Sequence, residues 1–342
     1  MGRQRGEDEG DVWLPVHPVG KPRSSGVPLA QEDQSPTGRN PVWRASATRS
    51  GTLISVLGAV AVTLFFLGDT LSWFGSGENL GRVQLAPYQV EALDGLVEVE
   101  RHGTSLRVER FDAEVGDRLV CDSETRAVVR VAGAGMLRLE PETDLRLEVA
   151  SDSGWRVYLE YGQVTASMSA APRLFQLRTP SGVIVDLGCV FTATVGAGSG
   201  TLLLVRSGDA VFEAGERQVF VPQGAQVMAW PGRGPGTPVW EDSSGPLRMA
   251  VSSLDALAHA APVDLEQSGA DGALEELGRL SESRDSLMLW HLLSHPHPQV
   301  SHAAFNYLNA LAPPSSKVDS EKVRLGDPAA SGMWLEELRE SW

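Results

Sequence analysis

The residues in this chain whose types and spacing could do chemistry are its histidines and cysteines. His291, His295, His297 and His302 follow one another as H-x3-H-x-H-x4-H. On a helix, positions 291 and 295 lie one turn apart on a single face, a spacing that suits a metal ion. Pro296 and Pro298 set a turn between two helices at that point, and histidine is common at helix ends, where it meets the dipole. Asp285 is the nearest carboxylate in sequence and no cysteine lies close. The pattern therefore reads as a solvated interhelical loop ahead of a metal site, with His291, His295 and His297 as the metal candidates. Cys121 and Cys189 are the only cysteines. They could pair as a disulfide in an oxidising compartment, or pack as small hydrophobes in buried strands, and spacing alone leaves both open.

Catalytic constellations are not legible. The stretch GAGSGT at 196–201 has no lysine for a phosphate loop and no G-x-S-x-G, so it reads as a hairpin turn. Asp186, a lone carboxylate near the Thr179-Pro180 turn, reads as a turn or surface residue rather than a general base. The sequence points to a chain that is not an enzyme and carries no cofactor. Its formal net charge is -15 over 342 residues, which argues against nucleic acid as a partner, because the phosphate backbone rewards basic surfaces.

The elements that position these residues fall into distinct textures. Residues 51–74 are apolar, with no charge between Thr52 and Gly68. A bilayer core of roughly 30 Å needs about 20 such residues in helix, so a single transmembrane helix is expected there, in contact with the lipid bilayer. Arg39, Arg44 and Arg49 precede it and Asp69 and Glu78 follow. Positive-inside bias then places residues 1–50 in the cytoplasm and the main domains outside, periplasmic in a bacterial inner membrane. The tail 1–50 is dense in proline, which removes donors and breaks any helical period, so it is expected to be disordered. Trp13 and Trp43 are its candidate anchors for a partner.

From about residue 80 to 230, apolar and polar residues alternate with period two. Leu137, Leu139, Leu145 and Leu147 point one way and Arg138, Glu140, Arg146 and Glu148 the other. Strands at this spacing, with glycine or Asx turns between them, predict an all-β domain: a roll, sandwich or solenoid-like body. Residues 175–213 are expected to supply core and edge, with Val183, Val185, Leu187, Val190 and Phe191 largely buried. PGRGPGTP at 231–238 opens a linker, 231–245. Residues 246–342 carry helical spacing, as in Leu274, Leu277 and Leu280, and predict a mainly α C-terminal region.

The β region resembles the FecR domain, the exterior part of membrane-anchored bacterial regulators. The resemblance rests on Gly95-Leu-Val, LRLEPETDLRLE at 137–148, LEYGQVTASMS at 159–169, FQLRTPSGVIVDLGCVFTATV at 175–195, LLLVRSGDAVFE at 202–213 and FVPQGAQV at 220–227. Cys189 stands where that family usually has threonine. The resemblance implies an anti-sigma type of signal transduction, in which the exterior domain binds a protein partner in the periplasm and the tail acts on a cytoplasmic sigma factor of the extracytoplasmic-function class. Residues 1–50 hold no cysteine and only His17, so they lack the zinc-binding H-x3-C-x2-C pattern found in related regulators. A structural scaffold of the cell envelope without transcriptional output is the alternative.

Overall fold

Two sheets, laid face to face, share one long strand. The computed structural model describes residues 86–258, 271–339 and 342. The strands are β1 (Tyr88–Asp94), β2 (Val97–Arg101), β3 (Thr104–Val108), β4 (Arg110–Ala113), β5 (Arg118–Cys121), β6 (Arg126–Val131), β7 (Gly135–Leu139), β8 (Thr143–Ser151) and β9 (Gly154–Met168). They continue as β10 (Phe175–Thr179), β11 (Gly182–Asp186), β12 (Val190–Val195), β13 (Thr201–Ser207), β14 (Asp209–Ala214), β15 (Arg217–Pro222), β16 (Ala225–Trp230), β17 (Gly234–Pro235) and β18 (Val239–Trp240). One sheet runs β4-β1-β6-β7-β9-β12-β13-β16, with β17 and β18 both on β16. The other runs β3-β2-β5-β8-β9-β10-β11-β14-β15. Strand β9 serves both: residues from Gly154 to Tyr161 pair with β8, and those from Gly162 to Met168 pair with β7 and β12. Gly162 permits the crossing. Its φ is +96°, and a Cβ there would lie 2.5 Å from the Glu142 carbonyl oxygen.

The period-two pattern explains the core. Leu119, Leu137, Leu139, Leu145, Leu147, Val157, Leu159, Phe191 and Phe212 are fully buried between the sheets. Tyr88 ties the sheets together, its buried hydroxyl donating to the Val149 carbonyl at 2.5 Å. Within 175–213 the pattern divides differently from expectation. Val185 and Phe191 are buried, but Val183, Leu187 and Val190 are only half-buried, while Ile184 and Cys189 turn inward. The strands of that stretch are also interior to their sheets, so they supply no edge.

The helices are α1 (Gly245–Leu257), α2 (Asp271–Leu280), α3 (Ser286–Leu292), α4 (Pro298–Leu311), α5 (Ser320–Arg324) and α6 (Pro328–Arg339). Their apolar faces, among them Leu254, Leu277, Leu289, Leu308 and Trp334, build a second core. They belong with the sheets to one compact unit, Leu80–Trp342. Residues 231–245, expected as a linker, are folded: Gly234 to Thr237 are buried and β17 pairs with β16. Asp255 on α1 accepts from the Thr237 amide at 2.8 Å and the Thr237 hydroxyl at 2.7 Å. Burial raises the pKa of that carboxyl against the opposing pull of those two bonds.

The fold class is corrected on one point. It included a transmembrane helix, but among the described residues no helix is long and apolar enough to cross a membrane. Helix α4, with 14 residues, reaches about 21 Å at 1.5 Å per residue, short of a hydrocarbon core of roughly 30 Å. Residues 51–74 lie outside the described residues, as does the tail 1–50 with Trp13 and Trp43.

Candidate functional site

His291 and His295 are structural, and they are not solvated. His291 on α3 is buried, and its Nε2–H donates to the Phe220 carbonyl of β15 at 3.2 Å. Desolvation lowers its pKa to about 3, with Arg217 adding to the effect and the carbonyl bond opposing it. His295 is buried as well. Its Nε2–H donates to the Leu254 carbonyl at 3.0 Å and its Nδ1 accepts the His297 amide at 3.0 Å. Both ring nitrogens of His295 are thus occupied, which leaves no lone pair for a metal. His297 precedes α4 as its N-cap, and His302 is exposed on that helix. Among the described residues no group of three or more potential ligands could hold a metal ion.

The cysteines are free and buried, so the disulfide weighed from the sequence is not formed. Burial pushes the Cys121 thiol up to about 12. Burial also raises that of Cys189, as does the bond its Sγ makes to Asp186 Oδ1 at 2.9 Å. A thiol held protonated is a poor nucleophile. Asp186 is fully buried rather than on the surface, and it closes a local turn by accepting the Cys189 amide at 2.9 Å. Its Oδ2 has no hydrogen-bond partner. The 196–201 stretch is a turn, closed by the Gly196 amide on the Gly200 carbonyl at 3.0 Å.

The feature most suited to recognition lies at the other end of the body. The sequence Arg101-His102-Gly103-Thr104 makes a two-residue hairpin loop between β2 and β3, with φ of +50° at His102 and +79° at Gly103. Two successive positive φ values are what a tight turn needs if it is to match strand twist. The hairpin is anchored at its base. Asp117 accepts from Arg101 Nε at 2.7 Å and Arg101 Nη2 at 2.6 Å, and Arg101 lies 4.6 Å over the Phe111 ring. Arg118 joins Glu100 to Asp144 across β2, β5 and β8. Asp117 is almost fully buried. Burial alone would raise its pKa, but the Arg101 and Glu114 amide bonds prevail and hold it below the usual range.

Beyond that base Arg107 pairs with Asp122 at 3.1 Å, but the outer main chain of the hairpin is unpaired. Among the described residues β3 pairs with β2 alone, so its outer edge of amides and carbonyls is open. Register places Leu106 opposite Val99 and Val108 opposite Val97, on the face that β2 buries. Val108 is half-buried, whereas Leu106 is 55% exposed. Alternation in SLRVERF marks Leu106 and Val108 as inward residues, but nothing local marks β3 as an outer strand. At the far end of the same sheet, β15 is covered: His291 takes the Phe220 carbonyl, Leu287 enters the β core, and Arg339 pairs with Asp209 at 3.1 Å.

Neither a protein-family model nor a curated protein sequence matches this chain. Among solved structures, two crystal structures of a candidate anti-sigma factor from Parabacteroides distasonis are similar. One, at 1.65 Å resolution, aligns with 15% identity and a TM-score of 0.32 over 39% of this chain and 63% of its own. The other, at 2.50 Å, has the same identity and TM-score over 47% of this chain and 73% of its own. The match to the first therefore spans less than two thirds of that protein. At such scores the likeness carries no inference for this chain, and the FecR resemblance stands on its motifs without a matching family model.

Proposed function

We propose that the described unit is a regulatory protein-binding module without catalysis, which receives an extended segment of a protein partner along the open edge of β3. The observation that carries this reading is the edge itself: Thr104–Val108 pairs on one side only and exposes Leu106 beside half-buried Val108. An added strand would continue the main-chain ladder and cover Leu106, with main-chain bonds supplying affinity and the apolar side chains selecting the partner. Each such bond contributes about 0.5–1.5 kcal/mol net, so a five-residue edge gives a reversible contact, as regulation requires. The motif resemblance to FecR-type regulators supports restraint or relay of a signal as the consequence, with a sigma factor as the target class.

The test places a photo-crosslinking residue at Ser105, on the edge, and at Thr192, in the middle of the other sheet, in the full chain. A discrete protein adduct should form from position 105 and not from 192. Leu106→Lys should abolish both the adduct and the chain's effect on a co-produced sigma factor, without changing its melting. Equal crosslinking from the two positions, or unchanged regulation by Leu106→Lys, would refute the reading.

A further inference from the structure

The charges that border β3 are unevenly matched. Strand β3 runs into β4 with Glu109 alone between them, and among the described residues β4 pairs with β1 only, as the outermost strand of the other sheet. Every arginine along this border already holds a carboxylate. Arg101 bonds Asp117 at 2.6 Å and Glu114 at 3.3 Å, Arg107 pairs with Asp122 at 3.1 Å, and Arg110 pairs with Glu91 at 2.6 Å. The acids are not all taken. Glu109 and Asp112 are exposed, and among the described residues their carboxylates meet no cation and no hydrogen-bond donor. Glu98, opposite Arg107 on β2, holds only the Ser105 hydroxyl, at 2.5 Å.

Those free carboxylates lie where an added strand would pass. A segment paired along Thr104–Val108 meets Glu109 at its next step, and Asp112 lies within about 10 Å of that point at the rise of an extended chain. Opposite charges on neighbouring strands attract and like charges repel. The formal net charge of -15 acts in the same direction over longer range, drawing a cationic segment in and turning an acidic one away. A second copy of this chain carries the same acids and the same net charge, which makes it the poorer occupant. The paired arginines take no part: the groups on offer are the outer main chain, Leu106 and the unmatched acids.

We infer that the partner segment is basic, with an apolar stretch over Leu106 flanked by lysine or arginine that pairs with Glu109 and Asp112; this rests on the reading of β3 as the docking strand. Fluorescence anisotropy of the full chain with the labelled peptides RRVTVTVRR and EEVTVTVEE tests it, beside the basic peptide N-methylated throughout, which keeps its charge and cannot extend a ladder. The basic peptide should bind saturably and the acidic one at least about tenfold more weakly. Glu109→Gln with Asp112→Asn should weaken the basic peptide about two- to tenfold at low salt, the scale of exposed ion pairs, and leave the melting temperature unchanged. The control is Asp152→Asn with Glu216→Gln, the same charge change at two exposed turns, and it should leave affinity as it is. Equal binding of the basic and acidic peptides, or equal effects of the two double variants, would overturn the basic assignment while the β3 edge stands. Undiminished binding of the N-methylated peptide, or no binding of any peptide, would overturn the docking strand itself and the assignment with it.

Discussion

Gly236→Ala is the substitution that decides whether residues 231–245 act as a joint or as a tether. A Cβ at Gly236 would lie 2.4 Å from Asp255 Oδ2, 3.2 Å from its Cγ and 3.3 Å from the Met228 carbonyl oxygen. The carboxylate must move, and it then loses the Thr237 amide and hydroxyl, which it holds at 2.8 and 2.7 Å. Hydrogen bonds to a charged group contribute about 1.5–3 kcal/mol each, so the variant should lose about 3–6 kcal/mol. Asp255→Ala removes the same two bonds and the colliding group together. Adding Gly236→Ala to Asp255→Ala should therefore cost little more, leaving a coupling energy of about 3–6 kcal/mol. Urea unfolding of wild type, both single variants and the double variant closes the cycle. Coupling below about 0.5 kcal/mol, the ordinary scatter of independent sites, would show that Gly236 and Asp255 do not meet and that the segment is a tether.

The remaining predictions concern buried titratable groups. His291 has a pKa depressed to about 3 by burial, with Arg217 nearby, so its neutral ring is favoured in the fold. Stability should be complete above the unfolded value of about 6.5 and fall by about 1.4 kcal/mol per pH unit between there and pH 3. His291→Gln, which keeps a donor for the Phe220 carbonyl, should flatten that decline in pH-dependent urea unfolding, and an unchanged slope would place the titration elsewhere. For Cys121 and Cys189, the native chain at pH 8 should not react with a thiol reagent over minutes. After unfolding without reductant both should titrate, and a count of zero would restore the disulfide.

Alternation alone marks Leu137, Leu139, Leu145 and Leu147 as inward and Arg138 and Arg146 as outward, because a strand offers two faces and the residue types choose between them locally. The His102-Gly103 turn is legible for the same reason: both residues tolerate positive φ better than the strand residues around them. The period weakens around 183–190, where the turn closed by Asp186 comes between β11 and β12 and changes which residues point inward. Strand order is another matter. The type of strand carried by 104–108 and by 175–179 is equally clear in sequence, yet β3 is an edge and β10 is interior. That difference depends on pairing partners distant in the chain. The histidines show the same division, since helical spacing put His291 and His295 near one another but only packing against β15 and α1 buried them and filled their hydrogen bonds. Trp240 and Trp342 likewise both bond the segment from Arg284 to Ser286, which is distant from each in the chain. Local patterns determine which face a residue presents; the closing of the chain on itself decides what that face meets.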